Sequence, residues 1–541
     1  MFHARRLVLA HFWVAFASFA AALVLGEWQM VVRSPLLGWI RNPELYYRSV
    51  TGHGVVMAYV LPTLVAMGFG YALVELALKR PLMGLRWAWA GFWMVLLGTV
   101  MTALTIASGR ASVLYTFYPP MIANAFFYIG IVLVVVGSWI WVALMSWNVH
   151  RWKKEHPGAT LPLAMFGTAV GAYLWAWTSL GAALEILLQI LPAALGWRDT
   201  IDAGLARVFF SWTLHAIVYF WLIPSYIAFY TIIPRAIGGR LYSDVAGRVS
   251  FVLFLVFSMP IGIHHLFADP QVGAGFKFVH AVFTAMVAVP TLLTVFTITA
   301  SVEIAARLRG GRGLFGWLRA LPWRNPYMLA VAFAFIMLGL GGAGGIINMS
   351  YQLNETVHNT QWVTGHFHLI FAGTIVIMYF VIGYDLWPQL LRCGPLPEGL
   401  MRWQLWLWFV GMMVATLPWH FSGLLGMPRR MAYFDYSHPD IAPQAITVIL
   451  SAFGGLLLVI SGFLFVWILA RAHAASRRAE PAPYTFSRPV HEVPVPAALN
   501  SFALWVGLMI ALTVINYGFP IAQLASNPGT AVPVIPVGSP R

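Results

Sequence analysis

Residues 359–388 read NTQWVTGHFHLIFAGTIVIMYFVIGYDLWP. From Asn359 to Tyr384 this stretch holds no Asp, Glu, Lys or Arg, and it exceeds the about 20 apolar residues that a helix needs to cross a bilayer. Yet it carries two imidazoles, His366 and His368. Ionisable groups at membrane depth are expensive and mark function. Runs of the same kind recur along the chain, and thirteen spans are predicted: 8–30, 51–78, 85–107, 119–147, 162–190, 205–233, 247–268, 276–306, 327–348, 359–388, 402–427, 443–471 and 498–520. Their length, without the ten-residue alternation of a barrel strand, predicts an all-α integral membrane protein.

The composition agrees. Of 541 residues 60% are hydrophobic and 9% charged, too few charges to solvate a globule of this size, since soluble chains carry about 25%. No soluble domain fits between the spans, so residues 1–541 read as one polytopic membrane domain, with a core over 45–430 and C-terminal helices over 443–541. The N-terminal run is too long for a cleaved leader and reads as the first helix. With the N-terminus inside, 22 of the 32 Lys and Arg fall on the inner side, as the positive-inside rule requires. The net charge of +15 is then a signal of topology and anionic lipid, not of nucleic acid. The lone Cys393 excludes a thiolate zinc site, an iron–sulfur cluster and a thiolate-bridged copper pair.

Six histidines fall at one depth in the outer half of the membrane: His53, His215, His264, His265, His366 and His368. Neutral imidazole binds metal, which would give them a shared purpose. His366 and His368 are about 200° apart on a helix, so they serve two flat groups flanking that helix rather than one ion. His264 and His265 are close enough to chelate together, and His215 completes a three-imidazole site. His53 can stand opposite His368. The pattern amounts to one bis-imidazole haem, one mono-imidazole haem and one three-histidine metal.

At these residues the chain resembles subunit I of the haem–copper oxidases, and most closely the B-type cytochrome c oxidases. The matching stretches are Trp212–Tyr219 (WTLHAIVY), Gly262–Pro270 (GIHHLFADP), His358–His368 (HNTQWVTGHFH), Arg307–Gly313 (RLRGGRG) and Gly426–Arg430 (GMPRR). By this resemblance His53 and His368 ligate a low-spin haem of b type, and His366 a high-spin haem of a or b type. His215, His264 and His265 hold copper, and Tyr219 is cross-linked to His215. Arg429, Arg430 and His358 would meet the haem propionates, with Asp269 in the same polar layer. Implied partners are O2, cytochrome c, a copper-bearing subunit II at the outer face, a small single-helix subunit and membrane lipid, in the plasma (inner) membrane of a bacterium or archaeon. Two positions depart from the pattern. Ala216 stands where Pro usually follows the copper-binding histidine, and Asn354 stands where an Asp is expected.

Reducing O2 consumes protons, which need a polar route from inside. Glu27, Glu75, Glu185, Glu303 and Asp385 all read as lying near span ends. Tyr219, Tyr226 and Tyr230 form a stripe on one predicted helix, and Thr284, Thr291 and Thr294 form a second on another, so hydroxyls offer the route. The expected function is therefore O2 reduction to water coupled to proton translocation. The alternatives are a nitric oxide reductase-like enzyme, a quinol-fed oxidase and a non-redox proton-coupled transporter. Tyr219, and the lack of a Glu beside His264 and His265, favour oxygen as substrate.

Overall fold

The computed structural model describes residues 3–475, 483–527 and 529–538. Among the described residues, 12 helices are long and apolar enough to cross a membrane. In chain order, with a shorter seventh, the helices are α1 (Arg5–Arg33), α2 (Pro43–Ala77), α3 (Leu85–Ala107), α4 (Ala125–Glu155), α5 (Leu163–Ala194), α6 (Ala203–Thr231), α7 (Asp244–Phe257), α8 (Ala274–Leu308), α9 (Pro326–Met349), α10 (Gln361–Leu391), α11 (Glu398–Leu424), α12 (Ala442–Ala474) and α13 (Ala503–Ser526).

The expected span over 247–268 is the one that differs. Its helix stops at Phe257, because Pro260 has no N–H to continue the ladder. The chain then re-forms as a 3-10 turn over Gly262–Leu266. His264 and His265 thus sit on a turn rather than on a helix. The α6 helix is also interrupted, at His215, where φ is −103° and ψ −34°. Pro224 lies within the helix beyond that point, so the break at the histidine comes before the proline.

α2 and α10 are the most enclosed helices, while α8 and α13 bury little of their surface. Packing between α3 and α4 depends on small residues: a Cβ at Gly98 would fall 2.3 Å from the Gly130 carbonyl oxygen, the close backbone approach by which membrane helices associate. Outward-facing positions carry large apolar side chains such as Trp93, Leu104, Leu292, Phe296 and Phe519, each more than half exposed. This is the surface of a multi-pass membrane protein.

Two short ladders tie the C-terminal tail across the end that the charge asymmetry marks as outer. β1 (Met121–Ile122) pairs in parallel with β4 (Ile535–Pro536), and β2 (Thr200–Asp202) pairs antiparallel with β3 (Ala531–Pro533). Three π-helical segments occur among the described residues: Val56–Val60, Ile186–Ile190 and Leu369–Val376. They begin just after His53, Glu185 and His368. Such segments gather at functional positions.

Candidate metal centre

Three helices and a turn bring the six histidines together in two groups. In the first, the rings of His53 on α2 and His368 on α10 face each other with centroids 6.2 Å apart and planes 17° from parallel. Nδ1 of His53 donates to the Ala22 carbonyl on α1 at 2.9 Å, and Nδ1 of His368 to the Thr364 carbonyl at 2.8 Å. A carbonyl can only accept, so the hydrogen of each neutral ring is on Nδ1 and the lone pair is on Nε2. On the other side of α10, Nδ1 of His366 donates to the Gly341 carbonyl on α9 at 2.7 Å. The backbone of Gly344 on the same helix comes so close that a Cβ there would be 2.7 Å from that Nδ1.

The second group is the break in α6 and the turn after α7. Ligand nitrogens of His215, His264 and His265 all lie within 4.8 Å of one another, and His215 Nδ1 is 2.9 Å from His265 Nε2. The Thr284 hydroxyl on α8 donates to the His280 carbonyl at 2.5 Å, which leaves its oxygen to accept from His264 Nδ1 at 2.9 Å. Nε2 of His264 is thereby free. His215 presents its other nitrogen, Nε2, to the Tyr219 hydroxyl at 3.3 Å. The turn can dock here because residue 262 is glycine: a Cβ would fall 1.7 Å from the Ser211 carbonyl oxygen. The Tyr517 hydroxyl accepts from the Gly262 N–H at 3.0 Å and locks the turn in place. His366 is near enough to interact electrostatically with all three histidines of this group.

A family model described as "Cytochrome C and Quinol oxidase polypeptide I" matches residues 6–457. The chain belongs to this family. It is similar to cytochrome c oxidase subunit 1 of Thermus thermophilus, 40% identical over 495 residues that cover 89% of this chain and 87% of the relative. The corresponding Synechocystis protein is 26% identical over 459 residues, 81% of this chain and 78% of that one. A solved cryo-EM structure of a heme-copper terminal oxidase dimer superposes with a TM-score of 0.93 at 34% identity, covering 100% of this chain and 96% of that one. A haem–copper oxidase subunit I carries haems and copper and works within a complex of subunits.

The residues of this oxidase subunit fit those groups. A metal about 2.0 Å from one nitrogen of each facing ring sets two imidazole centroids about 6 Å apart, the separation found between His53 and His368. The three-histidine group offers neutral nitrogens only, a donor set suited to copper, iron or zinc.

Outside the metal layer the polar side chains include several buried or half-buried arginines. Arg429 holds the Asn359 side-chain oxygen at 2.8 and 3.2 Å. Burial, with Arg430 beside it, holds the Arg429 guanidinium well below its ordinary value, a penalty that an anionic partner would relieve. Burial and the Arg429 cation lower the His358 imidazole as well, and His358 Nδ1 lies 3.2 Å from Asn354 Oδ1. Arg33, which no motif in the sequence marks, joins this layer. Its guanidinium is buried, reaches the Gln361 side chain and the Pro428 carbonyl only at 3.4 Å, and leaves Nε unpartnered. Asp269 pairs with Arg207 through two contacts at 2.5 and 2.9 Å, another partner not foreseen.

On the inner side, Tyr226 and Tyr230 are fully buried. Thr294 donates to the Pro290 carbonyl at 2.8 Å and so accepts from the Tyr230 hydroxyl at 2.6 Å. Tyr226 lies beside Thr291. The expected threonine stripe divides here, because Thr284 supports His264 while Thr291 and Thr294 face the tyrosines. One expectation is corrected outright. Glu185 is not near a span end, since α5 continues to Ala194 and the side chain is 0% exposed.

Proposed function

We propose that this chain is the catalytic subunit of a B-type cytochrome c oxidase, which reduces O2 to water and couples that reaction to proton translocation. The observation that carries the reading is the juxtaposition of a bis-imidazole pair, a third imidazole and a three-histidine cluster whose His215 ring turns its outer nitrogen to Tyr219. His53 and His368 would hold a low-spin b-type haem, His366 a high-spin haem of a or b type, and His215, His264 and His265 the copper. When bound, the high-spin haem and the copper deliver electrons to O2. Backbone and threonine acceptors on Nδ1 orient the rings of His53, His264, His366 and His368, as outer partners of metal-bound histidine do elsewhere. Tyr219 is placed to supply a proton and an electron beside the reacting atoms. Arg429, Arg430 and Arg33 form a cationic layer suited to propionate carboxylates.

Protons enter from inside past Thr294, Tyr230, Thr291 and Tyr226 toward Tyr219. The inner acids are otherwise engaged, which favours the hydroxyl route. Asp385 is paired with Arg235 and Tyr484, Glu303 with Arg307, and Glu75 accepts from the His3 and Ala4 N–H groups at the start of α1. With one cysteine in the chain, a binuclear copper centre that takes electrons from cytochrome c must belong to a second subunit at the outer face. A small single-helix subunit and anionic lipid complete the assembly, and its place is a prokaryotic plasma membrane. The test is O2 uptake by the purified complex given reduced cytochrome c or a quinol. Uptake with cytochrome c alone supports the reading. Uptake only with quinol, or reduction of nitric oxide in place of O2, refutes it.

A further inference from the structure

Glu185 is the one acidic side chain of the membrane interior, among the described residues, whose two carboxyl oxygens are both buried without a hydrogen-bond partner. Its depth follows from helix pairing. The Ala182 N–H on α5 donates to the Thr213 hydroxyl on α6 at 2.7 Å, so these residues are level. Glu185 lies three residues further out on α5, and His215 two residues further in on α6. At 1.5 Å per residue the Cα of Glu185 is about 7.5 Å closer to the outer surface than that of His215.

Its surroundings are specific. Glu185 immediately precedes the π-turn Ile186–Ile190, as His368 precedes another. The titratable groups that feel its charge are phenols: Tyr59 on α2, Tyr128 on α4, and Tyr118 in the connection between α3 and α4. Among the described residues, neither carboxyl oxygen meets a hydrogen-bonding cation. Gln189, one turn further out, is also buried and keeps an unpartnered side-chain nitrogen. Tyr118 lies under the Arg207 guanidinium, 4.5 Å from ring centroid to cation, and Arg207 pairs with Asp269, the two side chains being 30% and 12% exposed. Tyr118 is thus the shared neighbour of the buried acid and of an ion pair that reaches the surface.

An isolated carboxylate in apolar surroundings is strongly disfavoured, so the group rests as the neutral acid. It ionises only when a neighbouring charge changes. Asn354, in the same outer region, bears an amide and cannot hold a proton in this way.

We propose that Glu185 is a proton-holding carboxyl on the outward side of the metal layer, which releases its proton past Tyr118 toward the Arg207–Asp269 pair and is refilled from the inner side in each electron transfer. Release breaks the carboxyl O–H bond and refilling re-forms it. No electron passes through the residue, and the electrons it accompanies are those delivered to O2. The inference rests on the proton-translocating reading given above.

The test uses the complete enzyme in sealed vesicles, comparing wild type with Glu185→Gln and Glu185→Asp. Oxygen uptake, outward proton ejection and the redox-difference infrared spectrum are recorded on the same samples. Glu185→Gln should keep O2 uptake, lose proton ejection and lose a protonated-carboxyl C=O band. Glu185→Asp should shift that band and retain ejection. Ejection by Glu185→Gln equal to wild type overturns the assignment of Glu185 and leaves the translocating reading intact. Wild type that consumes O2 without ejecting protons overturns both. Should the Gln variant not assemble, the wild-type spectrum still decides, because absence of any redox-sensitive carboxyl band overturns the proposal.

Discussion

Placing one methyl group at residue 344 should remove the high-spin haem while sparing its neighbour. A Cβ there would be 2.7 Å from His366 Nδ1 and 3.0 Å from its Cβ and Cγ, whereas comfortable contact needs about 3.5–4.0 Å. The ring must withdraw by about 1 Å, which pulls Nδ1 from the Gly341 carbonyl now 2.7 Å away. A buried donor left without an acceptor costs about 1–3 kcal/mol, and forcing the helices apart instead costs a similar about 1–3 kcal/mol. Either response misplaces Nε2, and disturbing the outer partner of a metal-bound histidine weakens metal binding about 10–100-fold. Gly344→Ala should therefore lower the carbon monoxide-binding haem per low-spin haem, read from the CO difference spectrum. The bis-imidazole signal should persist, because His368 points away toward His53 and Trp419. Gly345→Ala is the control, since its Cβ meets only His366 Cε1 at an ordinary 3.7 Å. Equal CO binding in the two variants would refute the argument.

The three-histidine group offers two further tests. Thr284→Val removes the acceptor of His264 Nδ1 and should weaken copper retention about 10–100-fold, with haem content unchanged by pyridine haemochrome assay. Gly262→Ala places a Cβ 1.7 Å from a backbone oxygen that cannot yield, so the turn carrying His264 and His265 should fail to dock and the purified protein should contain haem without copper. On the inner side, Thr294→Val leaves the buried Tyr230 hydroxyl without its partner and should slow O2 turnover with unaltered haem spectra. Thr291→Val should act in the same direction, and unchanged turnover in both would count against the hydroxyl route.

Most of the bundle could be read from apolar run length, because a bilayer imposes one strong rule on every helix. The failure at 247–268 is instructive. Hydropathy does not register that Pro260 ends the helix, so the run looked continuous although its last turn is 3-10. The histidines were legible because imidazoles are conspicuous in apolar sequence, and their grouping followed from spacing along α10 and adjacency in the turn. Their supports were not legible. Ala22, Gly341 and Thr364 act through backbone carbonyls that every residue possesses, and Gly344 acts through a side chain it lacks. Thr284 read as part of a stripe, since nothing local shows that His264 lies across from it. Glu185 reads as lying near a span end because the expected boundary falls at 190, whereas α5 continues to Ala194. Arg33 and Arg207 lie close to the ends of predicted spans, and only the packing of distant segments gives them partners.

If six imidazoles hold two irons and one copper, metal and haem analysis of the purified complex will show it. The expected result is two haems per chain, one of them a bis-imidazole low-spin centre by electron paramagnetic resonance, and one copper bound to this chain that is lost in His264→Ala. A third, non-haem iron in place of that copper, or a single haem per chain, would contradict it.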